Sequence, residues 1–411
     1  MRLLFLFSVG LAIPGGTLYT EYNISHLEVA RMNMIERYVE RMMAESTPER
    51  PLWNIEKIKE GKVNGWNYID GCMMIALLNM HRITGERRYY EFAEHFLDHY
   101  VFEDGSLRGF REEDYNLDNI CEGRVLFDVY RLSGKEKYRK AIGTLYGQIL
   151  RQPRTPEGNF WHKQIYPNQV WLDGLYMAQV FYARYTTEME NCKGYEDIRR
   201  QFCNVRENMF DPNTGLYRHG YDASKTAFWA DRETGCSMNP WLRSLGWFSA
   251  ALIDVTAEIA EGHEGFRNDM TAIARELASN LLPYIDKDTN MLWQVPDQIG
   301  REGNYPETSG SAMVAYFYLK GARLGILDAS YAEVGAEIFR AICKRYLSET
   351  DGKLNLGGIC LVAGLGPENN RRRDGSYEYY ISEPVVENDA KGLAPFLMCY
   401  TELLMAGKSI E

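Results

Sequence analysis

The feature that most constrains the fold is a helix-ending turn that occurs twice, with its two glycines 49 residues apart. Gly85 is followed by Tyr89, and Gly134 is followed in the same way by Tyr138. Glycine ends a helix in the left-handed conformation, and the aromatic residue anchors the next helix. Weaker copies of the turn begin at three further glycines, namely Gly194, Gly262 and Gly325. This spacing predicts helical hairpins of about 50–70 residues, as in a solenoid or a closed toroid.

Helical periodicity predicts about twelve helices, whereas strand signals are sparse. The periodic segments are 25–44, 70–83, 88–101, 117–131, 136–150, 170–187, 195–208, 240–261, 267–283, 309–324, 331–347 and 388–406. Six helical hairpins that close on themselves form an all-α (α/α)6 barrel, which is the fold we predict. Because no Pro/Ser-rich linker interrupts residues 17–411, we expect them to form a single domain.

Several long segments between the predicted helices are aromatic and contain Gly and Pro, and they are not of low complexity. They are 101–116, 151–169, 209–239, 284–308 and 348–387. Long loops in compact domains usually carry function. We therefore expect these loops to crowd one rim of the barrel and to form the binding site.

The charge balance excludes some partners. The formal net charge is −11, which argues against nucleic acid or an anionic membrane as the main partner. A small acidic substrate stays possible, since a few local Lys and Arg side chains can overcome a negative average. Aromatic residues make up 13% of the chain, and their flat faces suit sugar rings as well as core packing. The oligomeric state is left open.

The cysteines and the N-terminus point to different compartments. Eight cysteines are scattered without a CxxC pair, and Cys72, Cys121 and Cys399 lie in apolar helical segments, which favours buried free thiols and the cytoplasm. Residues 1–16 resemble a short signal peptide, which would imply a secreted or periplasmic protein; a start site assigned too far upstream would also explain them.

No zinc-ligand spacing occurs, so no metal site is predicted.

Asp173 is the first candidate catalytic residue, in the segment 158–177 that also contains His162 and Lys163. Its neighbours in the chain are apolar, and on a helix facing a cavity they would favour the protonated carboxyl that a general acid needs. The alternative is an acid that only stabilises a helix N-terminus. Asp118 is a second candidate, with helix N-capping as its alternative role.

A third cluster lies in the segment 215–247 and contains His219, Trp241, Arg243 and Trp247. The last three could line a cavity mouth, with the planar guanidinium of Arg243 binding a carboxylate. The alternative for each tryptophan is packing. A short basic run, Arg371 to Arg373, is either solvated or helps to collect an anionic substrate.

Four segments resemble the unsaturated rhamnogalacturonyl hydrolases of glycoside hydrolase family 105. They read WHKQIYPNQVWLDGLYM, TGLYRHGYD, NPWLRSLGW and RDGSYEYYISEPVVENDAKG, and the resemblance runs from about residue 25 to the C-terminus. The chain is more distantly similar to the unsaturated glucuronyl hydrolases of family 88. The resemblance implies the same (α/α)6 barrel and an enzyme of pectin degradation. It also implies a substrate: rhamnogalacturonan oligosaccharides with a 4,5-unsaturated galacturonyl residue at the non-reducing end.

The resemblance also implies roles for single residues. Asp173 matches the general acid/base of the family, and Asp118 matches its second acid, near the sugar hydroxyls. Further residues match positions around the unsaturated sugar: Tyr68, His162, Lys163, His219, Trp241, Arg243 and Trp247. The implied chemistry is hydration of a vinyl ether, which requires no metal or organic cofactor.

Three other functions remain open at this stage. The first is an unsaturated glucuronyl hydrolase acting on other lyase products. The second is a sugar epimerase or isomerase on the same toroid, in which His162 and His219 would act as acid and base. The third is a non-enzymatic helical scaffold or sugar-binding module, against which the long aromatic loops argue.

Overall fold

The computed structural model describes residues 26–407, and their side chains from residue 34 onwards. The predicted segment 1–16 lies outside the described residues. The helices are α1 (His26–Ala44), α2 (Ile55–Glu60), α3 (Tyr68–Thr84), α4 (Arg87–Asp98), α5 (Asp118–Cys121), α6 (Gly123–Ser133), α7 (Glu136–Arg151), α8 (Leu172–Gly174), α9 (Val180–Met189), α10 (Tyr195–Met209), α11 (Leu242–Glu258), α12 (Glu264–Leu281), α13 (Thr308–Arg323), α14 (Tyr331–Tyr346), α15 (Tyr377–Ile381) and α16 (Ala390–Met405). A π-helical turn, Leu175–Gln179, joins α8 to α9.

The long helices form two concentric rings, which confirms the predicted (α/α)6 barrel. The inner ring runs in the order α3, α5–α6, α8–α9, α11, α13 and α16, and it closes because α16 packs against α3. The outer helices are α1, α4, α7, α10, α12 and α14. All twelve predicted helices are present, with ends shifted by a few residues.

The sequences of the two rings differ as their positions require. The inner helix α11 is buried at every residue from Leu242 to Thr256, because it is surrounded by other helices. The outer helix α7 buries only the face that contains Tyr138, Ile142 and Leu145, while its other face is solvated. A helix that is apolar all round belongs in a core, and an amphipathic helix belongs at a surface.

The predicted glycine turns are confirmed at the two strongest positions. Gly85 and Gly134 have φ angles of 73° and 69°, and each donates its N–H to a carbonyl of the preceding helical turn. Tyr89 and Tyr138 are fully buried, as their anchoring role requires. Gly194 differs, since its φ is −82° and it lies at the start of α10. Glycine is required there because a side chain would collide with the ring of Tyr182.

The short strands all form two-stranded antiparallel sheets in the connections between helices. They are β1 (Gln169–Trp171) with β4 (Gly220–Asp222), β2 (Phe210–Asp211) with β3 (Leu216–Tyr217), β5 (Leu347–Thr350) with β6 (Lys353–Leu356), and β7 (Ile359–Cys360) with β8 (Val385–Val386). In the first sheet Trp171 pairs with Gly220, and in the last Ile359 pairs with Val386. These sheets fix the long loops against the barrel.

All eight cysteines are free, and Cys72, Cys121 and Cys399 are buried, as predicted. Within residues 26–407, no helix combines the length and the apolar character that crossing a membrane requires.

The inner helices α3 and α6 approach so closely that one position must be glycine. A Cβ atom on Gly71 would lie 2.6 Å from the Cα of Glu122. We predict that Gly71→Ala lowers the free energy of unfolding by about 1–3 kcal/mol, because an added methyl forces the helices apart. Urea unfolding measures this change.

Gly143→Ala is the matched control for this substitution. Gly143 lies in the interior of α7 with nothing within 4 Å of an added Cβ. This variant should gain about 0.5–1 kcal/mol, since alanine restricts the unfolded chain and favours a helix. Equal stability changes in the two variants would contradict the close packing of α3 on Glu122.

Candidate active site

A short sheet and a helix start place Asp173 beside His219. β1 pairs with β4, and the N–H of Leu172 donates to the carbonyl of His219 at 3.1 Å. The chain then turns directly into α8, so Asp173 lies in its first turn. The Oδ2 atom of Asp173 lies 3.4 Å from the Nε2 atom of His219, and neither atom has a hydrogen-bond partner in the described residues. The π-helical turn follows at once, a feature frequent at functional sites.

His219 is completely buried and is held from its far side by Tyr380. The Nδ1 atom of the imidazole and the Tyr380 hydroxyl share a hydrogen bond of 2.7 Å. Burial raises the pKa of Tyr380 well above its usual value, so this phenol stays neutral. The rings of Trp171 and Trp241 lie 5.5 and 4.9 Å from the imidazole, centroid to centroid. The ring of His219 therefore has one free nitrogen, and it faces Asp173.

Asp118 forms a second polar group with the two neighbouring residues His162 and Lys163. The Nζ atom of Lys163 lies 2.6 Å from Asp118 Oδ2, and Nε2 of His162 lies 3.5 Å from Oδ1. The N–H of Leu117 donates to the carbonyl of His162, which fixes the two segments together. The alternative role of Asp118 as an N-cap is wrong, since Leu117 is the N-cap and Asp118 begins the helix.

Burial and pairing set the charges of this second group. Burial works to raise the pKa of Asp118, but Lys163 and His162 outweigh it and hold that pKa below its ordinary value. Burial likewise opposes the charged form of Lys163, yet Asp118 raises the pKa of the ammonium. For His162 burial dominates and lowers the pKa to about 4. Near neutral pH the group therefore holds one carboxylate, one ammonium and one neutral imidazole.

The two polar groups face the same space. Trp171 contacts both groups, because its ring lies 5.5 Å from that of His219 and also stacks on His162. The imidazole of His162 stacks on Trp171 at 4.3 Å. An added Cβ on Gly174 would lie 3.2 Å from His162 Nδ1, so glycine after Asp173 leaves room for this ring. The structure thus brings together four residues that the sequence analysis selected in three separate segments.

Aromatic side chains form one side of the site. Tyr68 begins α3 and is half-buried, and its ring meets Trp247 edge to face at 6.4 Å. Tyr176 lies against the same indole at 4.7 Å. Burial raises the pKa of Tyr68, and the charges of Glu56 and Asp118 act in the same direction.

Trp241 and Arg243 lie deeper than predicted. The prediction of a cavity mouth, which included Trp247, is wrong: Trp241 and Arg243 are each 1% exposed and Trp247 is 3% exposed, because α11 is buried from its first turn. The guanidinium of Arg243 donates to the carbonyl of Cys360, packs over the Trp241 ring and leaves Nε without a partner in the described residues. Trp241 Nε1 donates to Gln294 at 3.1 Å. Arg243 is therefore a cation at the base of the site.

The sequence analysis missed four further residues of the site. Tyr380 holds His219, Gln294 connects Trp241 to the carbonyl of Tyr380, and Lys391 pairs with Glu56. Tyr380 and Lys391 lie in the motif 373–392, which was quoted only for its resemblance. Glu56 carried no signal, because a single acid in a polar helix such as α2 is usually solvated.

The described residues hold no group of three or more His, Cys, Asp or Glu side chains that could bind a metal ion.

We predict that His162 makes stability depend on pH. Its pKa is about 4 in the folded chain and 6.5 ordinarily, so between these values the unfolded chain binds more protons. Stability is therefore lost as pH falls through this window. Between about pH 7 and about pH 5 the wild type should lose roughly 2 kcal/mol more than His162→Gln. Urea unfolding at both pH values tests this, and equal losses would contradict it.

Comparison with known proteins identifies the family of the chain. A sequence model of the family described as Glycosyl Hydrolase Family 88 matches residues 34–406. A solved glycoside hydrolase of family 105 from C. acetobutylicum ATCC 824 is similar with a TM-score of 0.81 and 40% identity, covering 89% of this chain and 99% of that chain.

Two curated proteins are also similar. Protein Atu3128 from Agrobacterium fabrum strain C58 is 39% identical over 221 residues, which cover 52% of this chain and 92% of the relative. The unsaturated rhamnogalacturonyl hydrolase YesR from Bacillus subtilis strain 168 is 23% identical over 276 residues, which cover 63% and 72%. The resemblance noted in the sequence is confirmed: the chain belongs to the glycoside hydrolases of families 88 and 105.

Proposed function

We propose that this glycoside hydrolase removes the 4,5-unsaturated galacturonyl residue from the non-reducing end of rhamnogalacturonan oligosaccharides. The observation that carries the proposal is the pair of polar groups, Asp173–His219 and Asp118–Lys163, facing one space lined by aromatic rings. The similarity to YesR supports the choice of substrate. Unsaturated uronyl residues are lyase products, so a polysaccharide lyase reaction must supply the substrate.

The proposed reaction is hydration of the vinyl ether in the unsaturated ring. Asp173 gives its proton to carbon 4, and the positive charge that develops at carbon 5 is stabilised by the ring oxygen. A water molecule adds at carbon 5 and returns a proton to the Asp173 carboxylate. The resulting hemiketal opens and releases the neighbouring sugar. A positioned acid contributes roughly 10²–10⁴-fold to such a proton transfer.

The remaining residues bind and orient the substrate in this proposal. Asp118 stays ionised through its pairing with Lys163 and accepts hydrogen bonds from sugar hydroxyls. The deep cation Arg243 and the ammonium of Lys163 favour the carboxylate of the unsaturated ring. The rings of Tyr68, Trp241 and Trp247 orient the sugar. His162 stays neutral and supports Asp118, while His219 supports Asp173.

Turnover of a defined disaccharide tests the proposed function. Unsaturated disaccharide from lyase-digested rhamnogalacturonan should lose the ultraviolet absorbance of its double bond and release free rhamnose. An unsaturated glucuronyl disaccharide from glycosaminoglycan digestion, run in parallel, should be turned over more slowly. Preference for that second substrate would contradict the galacturonyl assignment, and lost absorbance with an intact glycosidic bond would indicate an isomerase.

We predict that Asp173→Asn folds but loses at least about 10³-fold in kcat, because an amide cannot donate the proton. Asp104→Asn is the control, since Asp104 lies in an exposed loop. Circular dichroism confirms folding, and the decay of ultraviolet absorbance measures the rate. An active Asp173→Asn variant would remove this residue from the acid role.

Tyr380 is predicted to act as a positioning residue through His219. Tyr380→Phe should lower kcat roughly 10-fold and change KM little, because the hydrogen bond that orients the imidazole is lost. The matched control is Tyr377→Phe in the same helix, whose hydroxyl donates to the carbonyls of Arg301 and Glu302. Equal kcat values for the two variants would contradict a role beyond packing.

A further inference from the structure

Three consecutive arginines at one rim of the site differ in their partners. Arg371 pairs with Glu368 at 2.6 Å, and Arg372 pairs with Glu383 at 2.7 Å. The third, Arg373, has no carboxylate within 4 Å and no side-chain hydrogen bond among the described residues. The run is therefore neither uniformly solvated nor uniformly paired, and its third cation is still available to a ligand.

The backbone of this loop holds Arg373 in one place. The N–H of Gly366 donates to the carbonyl of Arg373 at 2.8 Å, and the N–H of Asn370 donates to the carbonyl of Pro367 at 2.8 Å. A Cβ atom on Gly366 would lie only 2.1 Å from the Asn370 carbonyl oxygen, so the closed turn requires glycine there. Leu365 is fully buried next to this turn, which fixes the loop against the body of the protein.

The side chain of Arg373 and an aromatic ring of the active site both lie next to Gly364. A Cβ atom on Gly364 would be 3.3 Å from the six-membered ring of Trp171 and 3.4 Å from Arg373 Nη1. The guanidinium is thus a neighbour of the indole on which His162 stacks at 4.3 Å. Arg373 is partly exposed, whereas His219 and Arg243 are fully buried. It therefore lies nearer the mouth than the residues around the reacting ring.

The charge of Arg373 also acts on Glu56 and on Tyr166, whose ring lies 4.7 Å from that of Trp171. Burial works to raise the pKa of Glu56, but Lys391, Arg243 and Arg373 together lower it. Burial raises the pKa of Tyr166, which Lys163 and Arg373 both oppose. The charge of Arg373 therefore acts on the same two side chains as the charges of Lys391, Arg243 and Lys163, although Arg373 itself forms no ion pair with an acid in the described residues.

Two other cations of the site already have acidic partners, whereas the deep cation Arg243 is fully buried and donates to the carbonyl of Cys360. Lys163 is paired with Asp118, and Lys391 lies between Glu56 and Asp389. The chain has a net charge of −11, yet Arg373 is held in place by its loop without an acidic partner. A guanidinium in this position favours the binding of an anionic ligand.

We propose that Arg373 binds an anionic group carried by the part of the oligosaccharide beyond the unsaturated ring. This inference rests on the proposed function. A guanidinium fork matches a carboxylate or a sulfate through two hydrogen bonds. In rhamnogalacturonan the group would be the carboxylate of the next galacturonate, and in a sulfated polysaccharide it would be a sulfate. Arg373 would then make the enzyme prefer longer acidic oligosaccharides to the disaccharide.

The test compares Arg373→Gln with Arg371→Gln in the full chain, on two substrates. The unsaturated disaccharide from rhamnogalacturonan has no acidic group beyond its first ring, and the unsaturated tetrasaccharide has one. Arg373→Gln should raise KM for the tetrasaccharide roughly 10–100-fold and leave KM for the disaccharide within about two-fold. Arg371→Gln should change neither. A sulfated unsaturated disaccharide, as a third substrate, distinguishes a sulfate from a carboxylate ligand.

The outcomes separate the two proposals. Turnover of the disaccharide by the wild type supports the proposed function, regardless of the result for Arg373→Gln. Equal effects of Arg373→Gln on both substrates, or no effect on the tetrasaccharide and the sulfated disaccharide, would overturn the role of Arg373 while the hydrolase activity stands. If the wild type turns over neither oligosaccharide, the inference fails together with the function on which it rests.

Discussion

Closure of the inner helical ring is the constraint on which the site depends, because it directs the starts of six helices to one end of the barrel. Tyr68, Asp118 and Asp173 all lie in the first turn of an inner helix, and Asp389 caps another. A helix start carries partial positive charge and unpaired N–H groups, which favour negative charge nearby. Carboxylates can therefore be placed at this end with less cost than elsewhere in an apolar core. The same field favours an acidic substrate, and the chain's net negative charge makes such a local field necessary.

Within that frame, the two acids differ because their surroundings differ. Asp118 has an ammonium at 2.6 Å, which holds it ionised despite burial. Asp173 has an imidazole at 3.4 Å and one buried oxygen without a partner in the described residues. One carboxylate is therefore committed to a cation, whereas the other keeps one oxygen available to a ligand. This difference follows from what each helix start faces, which is an ammonium for Asp118 and an imidazole for Asp173.

The fold could be predicted from the sequence because its signals are local. The turns at Gly85 and Gly134 depend on one residue's conformation, and the periodicity of α11 depends on neighbours within the same helix. Much of the site depends on distant partners instead: His219 meets Tyr380 across 161 residues, through strand pairing and loop packing that no local pattern encodes. Arg243 was expected at the mouth for the same reason, since the chain alone does not reveal how deeply α11 begins. The family resemblance selected His219 and Arg243, but it did not reveal which residues they contact.

Some of the buried polar atoms without a hydrogen-bond partner belong to the candidate site. Buried polar groups are almost always hydrogen-bonded, and each exception requires an explanation. Asp173 Oδ2, His219 Nε2, His162 Nδ1 and Arg243 Nε are all buried without a partner in the described residues. An unpaired buried polar atom costs about 1–3 kcal/mol, and the described residues contain others outside the site, such as the hydroxyls of Tyr217 and Tyr400. In the site, a ligand that bears hydroxyl and carboxylate groups would supply partners to these four atoms. The same atoms that weaken the empty protein would therefore strengthen its complex with a sugar acid.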